Sequence, residues 1–318
     1  MFKIFLDYTA SQKVYNFVKK AHGLIRGKWP LPLAKLSLKL AGRSDKLTSK
    51  ILRKMAFDRS PHLRVFADKY LVRSFISEKI GESFLPKLVQ SGLTWDELNV
   101  EKLPRNFALK VNNASGGMII VWDKASKHSK IPKKPPNNPW KQLVILPENF
   151  DVASVRLLAQ KWLRSNYYYR IGQWPEWAYR DIQPRLIVEE LLLDDHGELP
   201  TDFKFFMVNG ECIYIQVDTK RFRDHRTDFY TEAWQSIAGA YRDYPNSGIY
   251  MDKPDELKEM LRIARVLSKN VDFVRVDLML TSEGIKFGEL TNYPGGGREK
   301  YTPTSLDYEF GKLWLPKY

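Results

Sequence analysis

The chain has 318 residues, 43% hydrophobic and 13% aromatic, enough for about two domains with a sizeable core. A single cysteine, Cys212, excludes an internal disulfide, and no apolar run reaches the roughly 18 residues of a membrane span. The net charge is +14, and residues 1–79 hold 18 Lys or Arg against 5 Asp or Glu, an asymmetry that points to an anionic partner.

The start, MFKIFLDYTASQK, carries Asp7 and no clean apolar stretch, so a signal peptide is not expected. Residues 11–21 put Val14, Phe17, Val18 and Ala21 on one helical face, and LAKLSLKLA at 33–41 alternates apolar and basic. Two readings stay open: a basic amphipathic region on anionic lipid, or apolar faces packed on the main domain with solvated lysines. No nucleic-acid motif accompanies the basic residues, so nucleic acid is not an expected partner.

Residues 61–80 predict one helix through Leu63, Phe66, Tyr70, Phe75 and Ile80, stopped by Gly81. Thr94 with Glu97 forms a capping-box pattern. In NFALKVNNASGGMIIVWDK, Phe107, Leu109 and Val111 alternate, so Lys110 leaves the opposite face of a strand. The small, polar tip Asn112–Gly117 could bring backbone N–H groups to a phosphate, or be an ordinary hairpin turn. Residues 123–142, rich in Lys, Pro and Asn, read as a loop, and residues 152–170 as an aromatic helix.

Leu186–Leu193 reads as a buried strand holding Glu189 and Glu190, where an acid must find a partner or a ligand. Asn209-Gly210 marks a hairpin between strands 202–208 and 212–218, with Asp202 and Lys204 on one face. Residues 254–269 read as a helix. The last hairpin, FVRVDLMLTSEGIKFGELTNYPGGGR, brings Asp277 and Glu289 together. Two readings follow: a solvated hairpin edge with acidic residues on it, or a divalent-cation site, since two converging carboxylates repel and a cation is the usual remedy. The glycine run and the upstream basic residues favour the cation.

Five segments carry a family signature by their order: FDRSPHLRVFADKY, LKVNNASGGMIIV, IVEELLLD, DFKFFMVNG and VRVDLMLTSEGIKFGELTNYPGGG. From about Phe57 to Arg298 the chain resembles the TupA-like branch of the ATP-grasp superfamily, found among cell-surface polysaccharide synthesis proteins. The resemblance implies an α+β fold in which two α+β subdomains clamp ATP behind a basic helical N-terminal extension. The implied division is 1–56 basic region, 57–105 helical linker, 106–190 lid and 191–318 C-terminal subdomain.

Roles follow from the same resemblance. Lys69 and Lys110 match phosphate-contacting lysines, and Asn113, Ser115, Gly116 and Gly117 a lid loop. Glu189, Glu190, Leu191 and Leu192 match the adenine hinge, and Asp202 and Lys204 positions near ribose and phosphates. Asp277 and Glu289 match Mg²⁺ ligands, with Arg275 beside them. Many ATP-grasp enzymes carry Glu-x-Asn, whereas Thr291 stands here and Asn292 follows, so either could supply the third ligand. Arg275, Lys204 and Arg298 are the expected catalytic cations, and Arg221, Arg223, Arg226 and Arg298 are the candidates to grip a substrate carboxylate, or are solvated surface residues.

The implied activity is ATP- and Mg²⁺-dependent carboxylate–amine ligation through an acylphosphate. The implied substrates are an amino acid or amine and a uronic-acid glycan or its lipid- or nucleotide-linked precursor. The expected location is cytoplasmic, or peripheral at the inner membrane face through residues 1–56. The alternatives are a sugar kinase and a non-catalytic glycan- or membrane-binding protein.

Overall fold

The computed structural model describes residues 44–169, 174–241 and 244–317. The expectations for residues 11–21 and 33–41 lie outside them.

Helix α1 (Leu47–Phe57) turns Leu47, Ile51, Leu52 and Met55 inward. These pack with Phe206, Tyr214, Phe273, Phe310 and Trp314 of the C-terminal half, so this stretch, next to the 56/57 division expected from sequence, belongs to that core. The helix expected over 61–80 is two helices, α2 (His62–Ala67) and α3 (Val72–Ile80). Asp68 makes the break. Its Oδ1 accepts from the N–H of Tyr70 at 2.9 Å and Leu71 at 3.2 Å, an Asx turn that competes with helical hydrogen bonding.

The stretch expected as the lid, 106–190, forms a five-stranded sheet in the order β1-β5-β2-β3-β4, together with β1 from the stretch expected as helical linker. Its strands are β1 (Leu88–Gly92), β2 (Phe107–Val111), β3 (Met118–Val121), β4 (Gln142–Ile145) and β5 (Leu186–Glu190). Helix α4 (Val152–Arg164) covers one face, where Leu158, Ala159 and Trp162 meet Leu109, Val111, Ile119, Ile145 and Val188. The Thr94–Glu97 pattern starts only a short 3₁₀ turn. Glu97 Oε2 accepts from the N–H of Leu93 at 3.0 Å, and Thr94 Oγ1 donates to Glu97 Oε1 at 3.1 Å. The aromatic helix stops at Arg164 rather than 170. Ser165 is extended, and Asn166 Oδ1 accepts from the N–H of Tyr168 at 2.9 Å.

The second sheet has six strands in the order β12-β11-β6-β7-β8-β9. They are β6 (Asp202–Val208), β7 (Glu211–Thr219), β8 (Arg226–Tyr230), β9 (Ser236–Ile237), β11 (Phe273–Thr281) and β12 (Gly284–Thr291); β10 (Ala240–Tyr241) pairs with β13 (Tyr301–Thr302). Asn209 and Gly210 take φ of 50° and 90° at the β6–β7 turn, the left-handed pair such a tight hairpin needs. One face lies on α5 (Leu257–Ser268), where Phe205, Ile215, Val274 and Val276 meet Met260, Ile263, Ala264 and Leu267. The other face is divided. Phe206, Tyr214 and Phe229 pack on α1 and α6 (Ser305–Lys312), and a polar patch beside them faces the lid. No helix among the described residues is long and apolar enough to cross a membrane. The Cys212 thiol is half-buried, and burial pushes it up to about 12.

Candidate active site

Alternation decides what the lid sheet offers. Phe107, Leu109 and Val111 go to the α4 core, so Ala108 and Lys110 face the second sheet. Register then sets Ala108 opposite both Ile120 and Glu189, and Lys110 opposite Met118. Lys110 Nζ lies 2.6 Å from Glu189 Oε2, and Arg73 Nη1 lies 2.6 Å from Glu189 Oε1. The acid in the apolar β5 run therefore has two cationic partners.

The break at Asp68 aims Lys69 at the lid tip. Its backbone N–H donates to the Asn112 carbonyl at 3.2 Å, and its ammonium donates to the Ala114 carbonyl. Burial, aided by Lys110, lowers the Lys69 pKa against the pull of Glu289. Ser115 and Gly116 line the cavity beneath the tip. Gly116 has φ 91°, and a Cβ there would sit 2.2 Å from the Trp140 carbonyl oxygen. Asn113 turns inward instead, its Nδ2 donating to the Ser165 carbonyl at 3.4 Å, and Gly117 packs on Val111.

Across the cavity, strand register brings the charged groups into rows. Asp277 pairs with Lys204 on one side and with Glu289 on the other, while Asp202 pairs with Asp218. Lys204 Nζ is 2.9 Å from Asp202 Oδ2 and 3.5 Å from Oδ2 of both Asp218 and Asp277. Burial opposes its charge, but Asp202, then Asp277 and Asp218, hold the ammonium above the lysine range. Arg275 clamps Asp277 with two bonds of 2.6 Å and reaches Glu289 Oε1 at 2.9 Å and Thr291 Oγ1 at 3.1 Å. Burial would raise Glu289, yet Arg275, with Lys69, Arg221 and Lys204, brings it down to about 2.

Two cavities meet here. One, of about 730 Å³, runs between the sheets. Met118, Ile120, Leu191, Leu192, Met279 and Phe287 make its apolar lining, and Lys69, Lys110, Glu190, Asp202, Asp277 and Glu289 its polar groups. The other, of about 560 Å³, is lined by Lys204, Arg275, Arg298, Asp218, His225 and tyrosines 167, 179, 241, 244 and 293. Ser115, Arg221 and Glu289 border both. Arg221 is bound to Asp202 at 2.8 Å, Arg223 to Glu198 at 3.3 Å, and Arg226 to Asp224 on the surface. Of the four arginines suggested for a substrate carboxylate, Arg221 and Arg298 line the polar cavity.

Thr291 Oγ1 lies beside Glu289, donating to its Oε1 at 2.9 Å. Asn292 donates its Nδ2 to the Leu63 carbonyl at 2.7 Å, and its Oδ1 is buried in the polar cavity wall without a hydrogen-bond partner. Among the described residues no group of three or more His, Cys, Asp and Glu is gathered for a metal. An oxygen set would need Asn292 or the ligand's own oxygens. Sequence reasoning missed Arg73, Asp218 and His225. Arg73 and Asp218 lie on predicted elements, but only the folded pairing shows what they face.

No curated protein matches the chain. Among solved structures it is similar to D-alanine–D-alanine ligase from Bacillus anthracis, at 17% identity and TM-score 0.42, covering 78% of this chain and 66% of that one. It is also similar to the ATP-grasp ligase PsnB complexed with minimal precursor, at 10% identity and TM-score 0.37, covering 81% and 61%. A third is N5-carboxyaminoimidazole ribonucleotide synthetase from Thermus thermophilus, at 10% identity and TM-score 0.36, covering 84% and 52%. The chain thus spans between about half and two thirds of these proteins' lengths. A family model described as TupA-like ATPgrasp matches residues 45–315, and the chain belongs to that ATP-grasp family.

Proposed function

We propose that the protein is an ATP-dependent carboxylate–amine ligase that joins an amino acid or amine to the carboxylate of a uronic-acid glycan or its precursor. The observation that carries this reading is the pair of adjoining cavities. An apolar slot ends in Lys69, Lys110, Asp277 and Glu289, and opens at Glu289 into a polar, phenol-rich chamber that holds Lys204, Arg221, Arg275 and Arg298.

In this reading Met118, Ile120, Met279 and Phe287 enclose the nucleobase, and the hinge Glu190–Leu192 supplies edge contacts. Lys110 and Lys69 attract the phosphates from the lid side, with the Ser115–Gly116 backbone above them. The residues fit a hard cation, since Asp277, Glu289 and the unpartnered Asn292 Oδ1 are oxygen donors. Bound Mg²⁺ would neutralise charge on the transferring phosphoryl group. Arg275 orients both carboxylates, and Arg298 with Lys204 favours an anionic substrate in the second chamber. A substrate carboxylate oxygen bonds the γ-phosphorus, ADP leaves, and an amine then displaces phosphate from the acylphosphate to give the amide. Phenols and guanidinium groups suit a hydroxylated, carboxylated sugar, and the basic residues of 1–79 suit a longer anionic glycan.

The test is a panel of uronic acids and amino acids with ATP, scored for ADP and for coupled amide by mass spectrometry. Amide formation is expected for at least one pair. ADP with a phosphorylated sugar and no amide would replace ligation by kinase activity.

A further inference from the structure

An amine substrate is an ammonium ion near neutral pH and has no lone pair to attack with. Ligation therefore needs a base in the polar chamber. Of the carboxylates that line it, Glu176, Asp218, Glu289 and Glu299, two are already engaged by cations. Glu289 Oε1 accepts from Arg275 Nη2 at 2.9 Å and from Thr291 Oγ1 at 2.9 Å. Asp218 Oδ1 accepts from Thr227 Oγ1 at 2.8 Å and Gln216 Nε2 at 2.9 Å, and Lys204 stands 3.5 Å from its Oδ2. Although burial opposes it, Lys204, then His225 itself and these hydrogen bonds, keep Asp218 ionised.

His225 differs. It lines the same chamber, and its Nε2 lies 3.4 Å from Asp218 Oδ1. That nitrogen is buried and makes no hydrogen bond, and the ring lies 4.0 Å from the Tyr244 ring. Strand pairing fixes the placement, because Asp218 of β7 pairs with Thr227 of β8, two residues after His225. An ionised carboxylate behind an imidazole orients the ring and stabilises the imidazolium it becomes.

We propose that His225, backed by Asp218, is the base that takes a proton from the incoming amine. This rests on the ligase reading. One ammonium proton passes to Nδ1 of His225, the ring nitrogen that does not face Asp218, and the freed lone pair forms the C–N bond. The acyl C–O bond breaks, and phosphate departs with the second nitrogen proton.

Hydroxylamine separates this step from the rest, because it is already unprotonated near neutral pH and traps an acylphosphate as hydroxamate. Wild type and His225→Gln are given ATP, Mg²⁺ and a panel of uronic acids, with either hydroxylamine or a mixture of the standard amino acids. His225→Gln is expected to keep hydroxamate formation within about twofold and lose amide formation by about 10²-fold, the lower end for a general base. Added imidazole should restore part of the amide rate in His225→Ala. Equal loss of both products, or no loss of amide, would overturn the role of His225 while leaving acylphosphate chemistry standing. Hydroxamate without any amide from the wild type would overturn the amine and its base together. Absence of hydroxamate from the wild type would overturn the ligase reading, and this inference with it.

Discussion

In the proposed ligase, Lys110 is a lysine held in place before a phosphate arrives. Glu189 sits 2.6 Å away and is shared with Arg73, so the ammonium is fixed in the slot at little conformational cost. Lys110→Ala is expected to lower the ligation rate by at least about 10²-fold, the scale of removing one transition-state donor. Steady-state kinetics on the active pair from the substrate panel checks this. A non-catalytic glycan binder would show no change in its binding.

Glu289 makes a second prediction at this scale. Its pKa is lowered from 4.5 to about 2 in the fold. The stability it contributes is thus complete above the unfolded value and is lost as pH falls through about 4.5 toward about 2. Urea unfolding of wild type and Glu289→Gln across that range should show the wild type losing stability more steeply. Parallel curves would mean that Arg275 and its neighbours do not hold this carboxylate ionised.

At the scale of elements, breaks and turns place the chemistry. The Asp68 turn ends α2 early and delivers Lys69 to the lid tip. The tip itself tolerates no side chain at Gly116, where a Cβ would meet a backbone carbonyl that cannot swing aside. Gly116→Ala is expected to destabilise the lid by about 1–3 kcal/mol, through positive φ and the clash with Trp140. The readout is hydrogen exchange in β2, β3 and β4, which should open faster while α5 keeps its protection. Uniform exchange over the whole chain would show that the lid does not open as a separate unit.

For the whole molecule, the two sheets present opposite faces to one slot and are tied along its rim. Lys124 of the lid half donates to the His196 carbonyl at 2.6 Å, and Arg223 donates to the Lys124 carbonyl at 3.0 Å. A nucleotide held by both halves should stabilise them jointly. An ATP analogue at 100 times its Kd should add about 2.7 kcal/mol to the unfolding free energy, measured by denaturant titration. Lys110→Ala should reduce that gain at the same analogue concentration. An analogue that leaves stability untouched would contradict nucleotide binding in the slot.

Period-2 alternation in β2, β6, β7 and β11, the Asn209-Gly210 turn, and the closeness of Asp277 and Glu289 were all legible in the sequence, because hairpin pairing is local and side-chain direction follows from it. The break at Asp68 was not, since the same residues satisfy a helical pattern and only the Asn112 side chain, bonded to Asp68 Oδ1 at 2.9 Å, reinforces the turn from afar. The inward turn of Asn113 likewise depends on the Ser165 carbonyl, far along the chain. Local spacing by itself determined which residues share a strand face. Only the tertiary structure decided which faces meet across the slot and that Arg73 joins Lys110 on Glu189, because those contacts form between segments whose separation along the chain carries no periodic signal.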